Sequence, residues 1–144
     1  MNFLYLAEDY PYSKVHHQLC KHIVDLGKGI NVIVYAVLRN NILSNDLRST
    51  YTGINYQTLL YKLDESAQKY KYDFFFKIER KTSWLISHID IQSVNMVYAA
   101  TLFSEGAVAY RLYKNYSIPY VIAVRATDVN FYHYCPKKLP HRFS

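Results

Sequence analysis

The stretch "NFLYLAEDYPYSKVHHQLCKHIVDLGKGINVIVYAVL" (residues 2–38) holds three successive elements, and their order decides the fold class. "NFLYLA" (2–7) is a short apolar run suited to a buried strand. After "EDYP", Ser13 is placed to cap a helix. Val15, Leu19, Ile23 and Leu26 then recur at spacings of four, four and three, which predicts one apolar helical face. Gly27 and Gly29 supply the stop, and "INVIVYAVL" (30–38) reads as a second buried strand. Strand, helix and strand form a βαβ unit, which requires a parallel pair and a right-handed crossover.

The last third repeats the pattern. "VNMVYAA" (94–100) predicts a strand, and Ser104 is expected to cap the helix "EGAVAYRLYKNY". Val108, Leu112 and Tyr116, with Ala109 and Tyr113, predict its inner stripe. Glu105 in the first turn and Lys114 in the last both suit the helix dipole. Pro119 bars continuation, and "YVIAVRA" (120–126) reads as a further parallel strand. Between these blocks, "NYQTLLYKL" (55–63) alternates as an edge strand does, and one or two peripheral strands are expected across 39–72. "DFFFKIERKTSWLISHI" (73–89) predicts a helix with Phe74, Ile78, Leu85 and Ile89 on a common face. The expected architecture is α/β: one domain over 1–144, a doubly wound, mostly parallel sheet flanked by helices.

The chain of 144 residues is long enough for one proper core. No run of about 18 apolar residues predicts a membrane span, and the first residues lack a signal peptide's basic start, so cytoplasmic residence is expected. Cys20 and Cys135 form no CxxC pair and are expected to be reduced thiols. The net charge of +6 is scattered, with Lys77, Arg80 and Lys81 the densest group, so nucleic acid is not an expected partner. Sixteen tyrosines lend weak support to a polar ligand, because tyrosine stacks on sugar rings and bases alike.

In a doubly wound sheet, ligands gather at the carboxyl ends of the strands. "EDYPYS" (8–13) has no glycine for a dinucleotide fingerprint, and no P-loop occurs anywhere. Asp9, Tyr10 and Tyr12 either contact a polar ligand or shape the turn. His16 and His17 are adjacent, so on a helix they point about 100° apart and do not chelate a metal as a pair. No metal site is expected, and ligand contact by one of the two stays open. Ser104, Glu105 and Gly106 open a helix whose free N–H groups favour anions, although Glu105 already offers a carboxylate there. Arg125 and Asp128 close the last strand. Arg125 suits a phosphate or carboxylate, Asp128 suits sugar hydroxyls, and at this spacing the two can equally bridge each other.

"VNMVYAATLFSEGAVAYRLYKNYSIPYVIAVRATDVNFYHYCP" (94–136) resembles the amino-terminal domain of family 4 glycosyltransferases, the retaining group with the GT-B fold. The likeness runs in order through a strand, a Thr-Leu-Phe-Ser-acid-Gly helix start, an Ile-Pro turn and a strand ending near Arg-x-Thr-Asp. Tyr98 and Ala100 stand where relatives carry histidines, Arg125 where many have a histidine, and Ala126 where glycine is common. The resemblance implies a Rossmann-like acceptor-side domain, half of a GT-B fold, in an enzyme making cell-surface polysaccharide or glycolipid. Arg125 and Asp128 would be catalytic cleft-wall residues. Asp9, Tyr10, Ser104, Glu105, Gly106 and Thr127 would touch substrate. It implies no cofactor of this domain's own, since the nucleotide-sugar donor would bind mainly a carboxy-terminal domain not included in these 144 residues, without which transfer is not expected. Expected partners are a sugar or lipid-linked glycan acceptor, that second domain, an anionic membrane surface at the inner face, and a second copy of the chain. The alternative is a non-catalytic α/β binding or interaction module.

Overall fold

The computed structural model describes residues 1–10, 13–27, 29–38, 55–62, 73–125 and 128–129. Its elements are β1 (Asn2–Leu6), α1 (Lys14–Leu26), β2 (Asn31–Leu38), β3 (Tyr56–Lys62), α2 (Phe74–His88), β4 (Met96–Ala99), α3 (Ser104–Tyr116) and β5 (Tyr120–Ile122), with a 3-10 turn at Ile91–Ser93. The five strands form one sheet in the order β3-β2-β1-β4-β5. All four pairings are parallel. This is a single α/β, Rossmann-like domain, as the βαβ reading of residues 2–38 predicts.

Alternation along the strands sorts the core into two layers. Leu4, Leu6, Tyr35, Val37, Val97 and Ala99 face Ile78 and Leu85 of α2 and Val108, Ala109 and Leu112 of α3. Phe3, Tyr5, Val32, Val34 and Ala36 face the opposite way, toward Cys20, Ile23 and Val24 of α1. Truncating a fully buried leucine such as Leu85 or Leu112 would cost about 2–5 kcal/mol. Asp73 begins α2 by accepting from Phe76 N–H at 3.0 Å.

Several expectations require correction. Three of the four residues on the predicted inner face of α1 point outward, Val15 being 67% exposed, Leu19 39% and Leu26 83%, and only Ile23 packs against the sheet. His16 and Cys20 occupy the sheet side instead, and the burial of His16 is compensated by a hydrogen bond between the Tyr5 hydroxyl and Nδ1 at 2.8 Å. Ser13 precedes α1 but its side chain makes no capping bond. On α3 the buried stripe is Glu105, Val108, Ala109 and Leu112, at i, i+3, i+4 and i+7. Tyr113 and Tyr116 lie outside it, because the helix ends at a left-handed Ser117 before another inward turn is completed. Ser104 is the first helical residue rather than the cap. The strand expected over 120–126 is only three residues long and lies at the sheet edge, with Val121 and Val124 exposed. The alternating segment does form edge strand β3. The other expectations for 39–72, and Cys135, fall outside the described residues.

Candidate functional site at the carboxyl edge

The chain leaves β1 for β2 on one side and returns from β3 to β4 on the other, so strand order reverses between β1 and β4. A crevice opens at such a switch point, beyond the carboxyl ends of the two strands. Ala100 N–H bonds Leu6 C=O at 2.9 Å, which brings the segments following both strands side by side. Glu8 and Asp9 follow β1, Thr101 to Glu105 follow β4, and Arg125 follows β5.

Glu8 turns toward the α2–α3 side. Its Oε1 accepts from Lys81 Nζ and from the Ser104 hydroxyl, while Lys81 Nζ also donates to Ser104 Oγ at 3.0 Å. Glu8 N–H donates to Glu105 Oε1 at 3.1 Å, and the Thr101 hydroxyl donates to Glu105 Oε2. The Lys81 and Glu8 side chains are about nine-tenths buried, so their charges are withdrawn from water together. Burial, reinforced by the Glu8 charge, raises the Glu105 carboxyl above its ordinary range. Tyr35 lies close enough to feel both carboxylates, and burial first of all pushes its phenol upward.

Asp9 turns the other way, toward α1. Its Oδ1 lies 3.0 Å from His16 Nε2, without hydrogen-bond alignment, and this contact holds the Asp9 carboxyl below its ordinary range against the opposing effect of burial. The other ring nitrogen, Nδ1, is tied to the Tyr5 hydroxyl, which fixes the orientation of the imidazole. Arg125 Nη2 stands 3.4 Å from the same Nε2. Tyr5 stacks on Tyr98 at 4.8 Å and is fully buried, and desolvation raises its phenol far out of the physiological range. Asp9 is 44% exposed and Arg125 is exposed, so a carboxylate acceptor and a guanidinium donor reach solvent together at the edge. Such a pair can hold a ligand carrying several hydroxyls, one end accepting and the other donating.

The remaining site candidates divide clearly. Tyr10 is buried, its hydroxyl bonded to Tyr56 Oη and to His17 Nδ1, the latter at 2.9 Å. Asp128 is buried as well, with Oδ2 accepting from Arg125 N–H at 2.9 Å, so the two residues do bridge, through main chain. Ser104 and Glu105 belong to the buried network. The expectation of free N–H groups at the α3 start is corrected at Gly106, whose N–H is taken by Thr101 C=O at 3.0 Å. A Cβ on Gly106 would meet Ile122 Cδ1 and Thr101 O, each at 3.2 Å, so its glycine serves close packing of α3 on β5. Thr127 and Tyr12 lie outside the described residues. Glu8, Lys81, Tyr5 and Thr101 are site neighbours that the sequence reading passed over. Glu8 had a usable signal, a charge directly after a buried strand, whereas Lys81 had none.

Fold and edge together define a Rossmann-like α/β domain with a polar carboxyl edge at its switch point. Comparison with protein-family models, with curated proteins and with solved structures returns no match. Among the described residues, no cluster of three or more His, Cys, Asp or Glu is suited to a metal, and no helix is long and apolar enough to cross a membrane.

Proposed function

We propose that this domain is the acceptor-side half of a retaining, sugar-nucleotide-dependent glycosyltransferase, working with a second domain that holds the donor. The observation that carries the reading is the solvent-facing pair of Asp9 and Arg125 at the switch-point edge. The 94–136 segment, whose order resembles family 4 transferases, contributes β4, α3, β5 and Arg125 to that edge. In this reading Asp9 accepts from an acceptor hydroxyl, Arg125 donates to a neighbouring oxygen, and His16 fixes the Asp9 carboxylate from behind. Asp128 holds the Arg125 backbone and acts through it. The product is a cell-surface polysaccharide or glycolipid, assembled at the cytoplasmic face of a membrane.

The test uses the complete protein with a panel of sugar nucleotides and glycan or lipid-linked acceptors. Arg125→Ala and Asp9→Asn should each lower transfer by roughly 100-fold while leaving donor binding intact. Transfer that survives both changes would mean the edge does not bind the acceptor, and lack of transfer by the unaltered protein across the panel would favour a non-catalytic binding module.

A further inference from the structure

The opposite, amino edge of the sheet carries a second opening. Where the chain enters β4 and β5, a cleft of about 520 Å³ lies between the 3-10 turn and the end of α3. That volume falls within the roughly 300–1,000 Å³ of small-molecule sites. Its polar lining consists of Gln92, Asn95, Asn115, Tyr116 and Ser117, and no charged side chain lines it among the described residues. Asn95 Oδ1 is engaged by Asn2 N–H at 2.8 Å. The side chains of Gln92, Asn115, Tyr116 and Ser117 make no hydrogen bond among the described residues, and all four residues are exposed.

Tyr116 brings an aromatic ring into the lining, and two further tyrosines precede it on α3. Tyr113 and Tyr116 are neighbours three residues apart on α3, and Tyr110 lies a further turn back. They are 47%, 38% and 50% exposed. Tyr116 stands beside the unpaired carboxamides of the lining, while Tyr113 packs against Tyr120 with ring centroids 5.7 Å apart.

From this combination we infer that the amino-edge cleft binds a neutral saccharide. Each carboxamide offers both an acceptor and two donors, which matches the paired hydroxyls of a sugar. A tyrosine face suits the apolar C–H side of a pyranose ring. An anionic ligand would find no counter-charge in this lining, and a nucleic acid would lack the cationic contacts its phosphates require. The chemistry of the lining argues for the saccharide by itself, so the inference stands whether or not the carboxyl edge performs transfer.

The test is a titration of the isotope-labelled full chain, followed by amide NMR, with a panel of neutral mono- and disaccharides built from glucose, galactose, mannose and N-acetylglucosamine. Saturable shifts confined to residues 91–95 and 115–119 are expected for at least one sugar. Tyr116→Ala should weaken that binding about tenfold, and Asn115→Ala severalfold, with core resonances such as Leu112 unchanged as proof of folding. Silence across the panel overturns the inference, as does binding indifferent to both substitutions. Shifts at these residues produced by a single-stranded oligonucleotide but by no sugar would overturn it in favour of a nucleic-acid site.

Discussion

Glu8 and Asp9 are neighbours in the chain, yet they enter opposite sides of the sheet and meet opposite fates. Glu8 is sealed into a network with Lys81, Ser104 and, through its backbone, Glu105. Asp9 reaches solvent beside Arg125, backed by His16. The difference lies in how completely each charge is satisfied by the protein itself. A carboxylate already bonded to an ammonium and a hydroxyl has little left to offer a ligand, and its removal disturbs the fold. A half-exposed carboxylate held from one side keeps its outer lone pairs free. Position at a switch point is therefore insufficient to mark a functional residue. The count of unspent hydrogen-bonding capacity separates the two.

The most severe way to break this contrast is to strip Glu8 of its cation. Lys81→Met keeps much of the lysine's apolar length but leaves a buried carboxylate without its ion partner. A loss of about 3 kcal/mol or more is expected, read from the urea midpoint at unchanged slope. A loss under about 1 kcal/mol would show that water already reaches Glu8, and the sealed side of the comparison would fall.

Acidity gives a subtler contrast, because the two sides carry opposite signs. The Glu105 carboxyl is raised in the folded state, so the fold binds its proton more tightly than the unfolded chain does. Its stabilising contribution is complete below the ordinary carboxylate range and is lost as pH rises through the folded value. The Asp9 carboxyl is lowered, so its contribution is present above the ordinary range and is lost as pH falls through the folded value. Stability measured from about pH 3 to about pH 8 should therefore change in opposite ways in two variants. Glu105→Gln should remove a decline on the rising limb, and Asp9→Asn should remove a decline on the falling limb. Curves shifted in the same sense by both would mean that the two carboxyls share one environment.

The sheet was legible because its strands are apolar runs set between turn residues, and parallel order follows from the βαβ spacing of residues 2–38. Helix facing was less legible. In α1, the residues 15, 19, 23 and 26 and the residues 16, 20, 23 and 24 both offer a plausible inward stripe. What selects the second is the Tyr5 hydroxyl waiting for His16, a partner eleven positions away whose placement only the folded sheet determines. Lys81 was illegible for the same reason. It sits among basic residues like any surface lysine, and its burial depends on Glu8, 73 positions earlier. At the site, strand-end geometry was enough to bring Asp9 and Arg125 to one edge. It was insufficient to show that Tyr10 and Asp128 are buried there.

The smallest effect should come from Arg125, and its smallness is the informative part. The residue is exposed, and the closest described contact of its guanidinium is Nη2 at 3.4 Å from an imidazole nitrogen that already faces Asp9. Water reaches the exposed guanidinium and competes for its side of this contact, so the contact contributes little to folding. The hydrogen bond that anchors this turn runs from the Arg125 backbone N–H to Asp128, and alanine preserves it. Arg125→Ala should therefore change stability by no more than about 0.5 kcal/mol in the same urea titration that reports Lys81→Met. Set against a large loss of transfer, that near-zero cost would place Arg125 among residues retained for a ligand. A cost comparable to that of Lys81→Met would move it to the sealed side of the comparison and leave Asp9 alone at the open edge.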